Sequence, residues 1–175
     1  DALKMSDNTL VILTSDNGAL WFDPDVARYG HDCSGTFRGR KGNIWEGGIR
    51  MPLIVRWPGR VSSGSVADEL ICQADLLATC AAICNKELPP GAGEDSSDQL
   101  PILLGQAPNH GIRRSVVLQS FDQNDLALRS GRWKLIPWLG SGGFLTRPKT
   151  RAPREGEPVG QLYDLEQDPG EQQNV

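Results

Sequence analysis

The chain has no apolar stretch of membrane-spanning length. Its longest apolar runs, such as Leu10–Leu13 and Leu53–Val55, fall far short of the roughly 20 residues a bilayer requires. It has four cysteines, Cys33, Cys72, Cys80 and Cys84, but no CxxC pair, which argues against a zinc ribbon or a thioredoxin-type site. It has no long run of one charge sign, and its net charge is −4. A general nucleic-acid binder would need a basic face for phosphates. No internal repeat is visible, so a solenoid or propeller is not indicated. The start, Asp1-Ala2-Leu3-Lys4, carries no signal-peptide pattern and no initiator Met. It reads like the end of a helix entered midway, so the chain is expected to be part of a longer protein. Its location in the cell is then unreadable from these residues.

What is present suits one domain, or one domain with a small appendage: 175 residues, 38% apolar and 23% charged. Thr9–Thr14 is a β-branched apolar run that predicts a strand buried on both faces. It ends at Ser15-Asp16-Asn17-Gly18, which is good turn chemistry. Residues 19–43 read as a long Gly-, Asp- and Arg-rich loop, of a length that is usually functional or disordered. Pro52–Trp57 predicts a second buried strand. Asp75 is placed as an N-cap, with Leu76, Leu77, Cys80, Ile83 and Cys84 on one apolar helix face. That pattern makes Cys80 and Cys84 small buried thiols. Cys33, in a polar loop, could pair in an exported protein.

Residues 89–99 read as a linker or surface loop. Four short strand-like runs follow, Ser115–Phe121, Leu126–Arg129, Trp133–Trp138 and Gln161–Leu165. Ser130-Gly131 is the expected hairpin turn between two of them. Residues 139–160 read as a mobile surface loop. The fold class is α/β: the last part of an α/β domain over residues 1–108, then a small antiparallel sheet subdomain of α+β type over residues 109–175.

Two constellations could carry chemistry. Asp16 and Asn17 offer adjacent hard oxygens at the carboxyl end of a buried strand, where ligands gather in open α/β sheets and where Ca²⁺ or Mg²⁺ finds suitable donors. Taken alone, the triplet reads first as a turn. The second is Phe37-Arg38-Gly39-Arg40-Lys41-Gly42 followed by Trp45-Glu46-Gly47-Gly48-Ile49-Arg50. A lysine among glycines can approach a compact anion as a point charge, and the three arginines would add positive potential. The bland alternative is a solvated basic loop in which Glu46 pairs with Arg38, Arg40 or Arg50. His31 could face a substrate or act as an acid, but a surface role is at least as good a reading. His110 reads as a turn residue.

In this order, "TLVILTSDNG" and "CSGTFRGRKGNIWEGGIRMPLIVRWPG" closely resemble the arylsulfatase family of the alkaline-phosphatase-like superfamily. "ADLLATCAAI", "LPILLGQ", "LALRSGRWKLI" and "LYDLEQDPGEQQNV" extend the resemblance over nearly the whole chain. The resemblance implies a sulfuric ester hydrolase of exported location. Asp16 and Asn17 would be two ligands of a divalent cation, usually Ca²⁺, and Lys41 would bind the sulfate group and stabilise charge on the leaving oxygen. Glu46 and the glycines would shape the loop. The family's formylglycine nucleophile lies in Cys/Ser-x-Pro-Ser-Arg, and no Pro-Ser pair occurs here. The chain is therefore expected to hold one wall of a site and to be inactive alone. The substrate would be a sulfated small molecule or carbohydrate. Alternatives are a phosphoester or phosphonate hydrolase of the same superfamily, or a non-catalytic binding module.

Overall fold

A computed structural model describes residues 2–106, 108–121 and 125–175. It divides into two compact units, Asp1–Leu13 with Leu53–Ser115, and Thr14–Pro52 with Val116–Val175. Both units are discontinuous in sequence, whereas the division at residue 108 drawn above is a boundary along the chain.

In the first unit, β1 (Val11–Thr14) and β2 (Leu53–Arg56) form a two-stranded sheet. Both strands are where the apolar runs placed them, but they are not buried. Leu13 is 58% exposed and Ile54 60%. An apolar strand is covered on both faces only when a layer packs on each, and this sheet has two strands. Helix α3 (Asp75–Ile83) corrects a second expectation, because Leu77, Cys80 and Cys84 on its apolar face are exposed. Asp75 is not the cap but the first helical residue, and it is fully buried. Its carboxylate accepts from the Cys72 and Ser97 N–H groups, from Gln99 Nε2 and from the Arg113 guanidinium. Burial pushes its pKa up, but the Arg113 hydrogen bond and the two backbone donors outweigh this and leave it below the usual carboxylate value. The segment after α3, read as a linker, is tied back to it. Ser96 Oγ donates to Ala74 O and accepts from Ala78 N, and α4 (Leu100–Leu103) follows.

The second unit holds a four-stranded sheet in the order β3 (Ser115–Gln119), β4 (Leu126–Ser130), β5 (Trp133–Ile136), β6 (Gln161–Asp164). β4–β5 and β5–β6 are antiparallel, with Arg129 opposite Lys134 and Lys134 opposite Tyr163. Gly131, with φ +55°, makes the expected turn. One face of the sheet packs Ala127, Ile136, Tyr163 and Leu165 against Ile44 and Trp45. The long loop before them is not irregular throughout. It contains α1 (Asp23–Tyr29), with Pro24 in its first turn and Gly30 closing it in the left-handed region. Leu139–Gly143, read as part of a mobile loop, is instead packed in. Ile44 N donates to Ser141 O at 2.8 Å, and Ser141, Gly142 and Gly143 are buried.

Candidate functional site

Three glycines decide the geometry around Lys41. The short helical turn α2 (Glu46–Ile49) lies against the Asp16–Asn17 turn, with Gly18 N donating to Gly48 O at 2.9 Å. A Cβ on Gly18 would fall 2.1 Å from Gly47 O, and one on Gly47 would fall 2.2 Å from Gly39 O. A Cβ on Gly48 would meet Asn43 O at 2.2 Å. No side chain fits at these crossings, so backbone meets backbone. Lys41 N donates to Ala19 O at 2.8 Å, closing the same contact from the other side. The Asp-Asn-Gly turn and the Lys41 loop are thereby held next to each other. Asn43 Oδ1 braces the loop, accepting from Arg40 N at 2.9 Å and from Thr146 Oγ1 at 3.1 Å.

The arginines expected to add positive potential are engaged elsewhere. Arg38 stacks on Trp45 at 3.7 Å and donates to Tyr163 Oη and to Glu171 O. Arg40 pairs with Asp23 and Asp32, and hydrogen bonding to those carboxylates holds its pKa above the usual arginine value. Arg50 lies over the Phe37 ring and 3.6 Å from Glu46 Oε2. Among the described residues, Lys41 alone of these loop cations has no side-chain partner. It is half-buried.

Asp16 is exposed and accepts one hydrogen bond, from Ser15 Oγ at 3.4 Å. No cation pairs with it among the described residues. Asn17 donates Nδ2 to Gly18 O at 3.0 Å, leaving its Oδ1 available. A carboxylate without a neutralising partner beside an amide oxygen fits two members of an oxygen ligand set for a hard divalent cation. Among the described residues no group of three or more His, Cys, Asp or Glu side chains is placed to hold such an ion, and Ca²⁺ takes about six to eight oxygens.

Comparison with known proteins decides which family the chain belongs to. The sulfatase family model matches residues 1–85. An N-acetylgalactosamine-6-O-sulfatase of Bacteroides thetaiotaomicron is 37% identical over 180 residues, covering 100% of this chain and 34% of that protein. Arylsulfatase A of Bos taurus is 32% identical over 188 residues, covering 99% of this chain and 34% of its own. A solved 6S-sulfatase structure from the glycosaminoglycan metabolism of Bacteroides thetaiotaomicron superposes with a TM-score of 0.81 at 37% identity. It covers 100% of this chain and 36% of the other.

The chain belongs to the sulfatase family. Its fold is of the α/β, alkaline-phosphatase-like kind, and it spans about a third of the length of the curated relatives it matches. The sulfatase chain has one feature that sequence reasoning missed. Glu46, just 1% exposed, pairs not with Arg38 or Arg40 but with Lys134 Nζ at 3.0 Å and Arg129 Nη1 at 3.3 Å, besides the weaker Arg50 contact. Lys134 Nζ also lies 2.9 Å from Glu171 Oε1, and both groups are fully buried. Burial drives the Glu171 pKa up, against the pull of Lys134. The sequence of β5 points the other way, since alternation would turn the apolar Trp133 and Leu135 inward, whereas they are exposed and Lys134 and Ile136 are buried. A lysine inward of two outward apolar residues needs an acidic partner.

His31 is exposed; its carbonyl accepts from Trp21 Nε1 and its ring lies edge-on to the Trp21 ring at 6.3 Å. His110 contacts its neighbour's carbonyl, as a turn residue should. Among the described residues all four thiols are free, and Cys33 has no disulfide partner there.

Proposed function

We propose that the protein containing this chain hydrolyses sulfate esters, and that these 175 residues supply the Lys41 wall of its site. The observation that carries the proposal is Lys41, whose backbone is held beside the Asp16–Asn17 turn while its ammonium has no partner among the described residues. A compact cation is suited to the oxygen on which charge develops as the S–O bond breaks. Preorganised charge of this kind is often the largest single term in catalysis. Asp16 and Asn17 would hold a divalent cation, Ca²⁺ by family resemblance, which when bound would neutralise the sulfate oxygens. Since no Pro-Ser pair occurs among these residues, the formylglycine nucleophile would come from elsewhere in the protein, and the chain alone is expected to be inactive.

The substrate class we favour is a sulfated carbohydrate. It is supported by the full-chain match to an N-acetylgalactosamine-6-O-sulfatase, whereas the steryl-sulfatase match covers 60% of this chain. The exposed apolar strands β1 and β2 and the exposed face of α3 would be covered by the rest of a protein of the relatives' length. The test is turnover of 4-nitrophenyl sulfate and 4-nitrophenyl phosphate by the full-length protein, with the 175-residue chain in parallel. Preference for the sulfate by the full-length protein and silence of the short chain is expected. Preference for the phosphate would turn the reading to a phosphoester hydrolase, and activity of the short chain would place the nucleophile within it.

A further inference from the structure

We propose that Lys134 is a positioning residue of this site: its ammonium, shared by Glu46 and Glu171, holds the α2 turn that keeps the Lys41 loop beside the Asp16–Asn17 turn. The inference rests on the sulfate-ester reading for its activity test alone, because the geometry stands by itself.

The α2 turn has little of its own to hold it. It has four residues, Glu46-Gly47-Gly48-Ile49. A single turn with two glycines has almost no intrinsic helical stability. The glycines are required by the close crossings with Gly18, Gly39 and Asn43, so the turn must be held from outside. Glu46 is the handle. Its N–H donates to Glu171 Oε2 at 2.5 Å, Oε1 accepts from Lys134 Nζ at 3.0 Å, and Oε2 faces Arg129 and Arg50. Glu171 is anchored too, since its carbonyl accepts from Arg38 Nη1 at 2.9 Å.

Lys134 sits at the centre of β5, between Arg129 and Tyr163 on the flanking strands. It therefore ties the sheet to both carboxylates at once. The path from Lys134 to the site is short and made of backbone: Glu46, then Gly48 O to Gly18 N, with Lys41 N to Ala19 O beside it. A hydrophobic plug could fill the same volume, and buried ion pairs do not stabilise more than such a plug does. A plug could not receive the Glu46 side chain and fix the direction of its turn. Removal of Lys134 alone leaves two buried carboxylates with one fewer cation, which pushes Glu46 and Glu171 apart.

The experiment uses the full-length protein with Lys134→Met and Lys134→Met/Glu171→Gln. It reads kcat and KM on an aryl sulfate well below the melting temperature, together with amide hydrogen exchange. For Lys134→Met the expected results are a fall in kcat of about 100-fold, the scale of a 1 Å misplacement, and faster exchange at residues 16–19 and 38–48. Amides of the β4–β5 hairpin stay protected. The double variant, with one carboxylate neutralised, recovers part of both. Exchange that is unchanged in those segments, or that rises uniformly while kcat per folded molecule is kept, overturns the proposal and leaves Lys134 a general stabilising residue. So does a double variant no better than the single one. Should Lys134→Met fail to accumulate, the double variant decides by itself: faster exchange confined to the two segments supports the proposal, and exchange like wild type overturns it. A wild-type protein inactive on sulfate esters sinks the functional reading, while exchange still decides the positioning role.

Discussion

Replacing Gly18 by alanine puts one methyl group at the crossing that joins the two halves of the site. That Cβ would lie 2.1 Å from Gly47 O, 2.7 Å from Gly48 C and 2.8 Å from Gly48 O. All three are backbone atoms, so no rotamer change relieves the clash. The turn and α2 must separate by more than about 1 Å to reach ordinary contact, a shift that close-packed interiors resist. Overpacking of this kind costs about 1–3 kcal/mol of stability. The cost in rate is larger in consequence, because a displacement of about 1 Å of catalytic groups lowers turnover about 100-fold. The proper control is Gly35→Ala, in the same unit. There φ is +59° and no atom lies within 4 Å of the added Cβ, so the substitution carries about 1 kcal/mol of backbone strain without a clash. Both variants of the full-length protein are assayed for kcat/KM on an aryl sulfate and for melting temperature. Gly18→Ala should lose rate far beyond its loss of stability, and Gly35→Ala should lose a little stability and no rate. If Gly18→Ala keeps its kcat/KM, or if the two variants lose rate in proportion to stability, the crossing does not position the site.

Asp16→Ala in the full-length protein should raise the Ca²⁺ concentration needed for half-maximal activity, by roughly 10-fold or more for loss of a charged ligand. An unchanged Ca²⁺ titration would assign Asp16 to the turn alone. Asp75 makes a stability prediction. Its folded pKa lies below the usual 3.8, so the folded state binds fewer protons there than the unfolded chain. Its stabilising contribution is full above that value and fades as pH falls through and below it. Asp75→Asn should therefore destabilise by about 3 kcal/mol at pH 7, because Arg113 keeps a half-made buried pair. The gap to wild type should shrink in denaturant titrations near pH 3. A gap that is the same at both pH values would remove the ion pair from the account.

The motifs were legible because their chemistry is local. Asp16-Asn17-Gly18 and the glycines around Lys41 state their turns and close approaches in the residues themselves. The β4–β5 hairpin was legible for the same reason, with Gly131 between two apolar runs. Burial was misread in β1, β2 and α3, because an apolar pattern reports what a segment needs against it and not whether these residues supply it. Long-range pairing was not readable at all. Glu46 finds Lys134 and Glu171 far along the chain, while the nearer Arg38 turns away to stack on Trp45. The Gly-rich composition of residues 139–160 resembled a mobile loop. Yet a Cβ on Gly143 would sit 2.0 Å from Gly42 O, so this glycine serves close packing and not freedom.

The most direct measurement is the turnover of an aryl sulfate by the full-length protein carrying Lys41→Ala, with the melting temperature taken on the same preparation. Lys41 lies in a loop whose stability comes from Asn43, the glycine crossings and the Glu46 network, so the melting temperature should change little. If its ammonium meets the oxygen on which charge develops, turnover should fall by about 10²–10³, the scale of losing one preorganised donor to that charge. Turnover within about threefold of wild type, the range of an ordinary surface substitution, would contradict the assignment of Lys41 to the site.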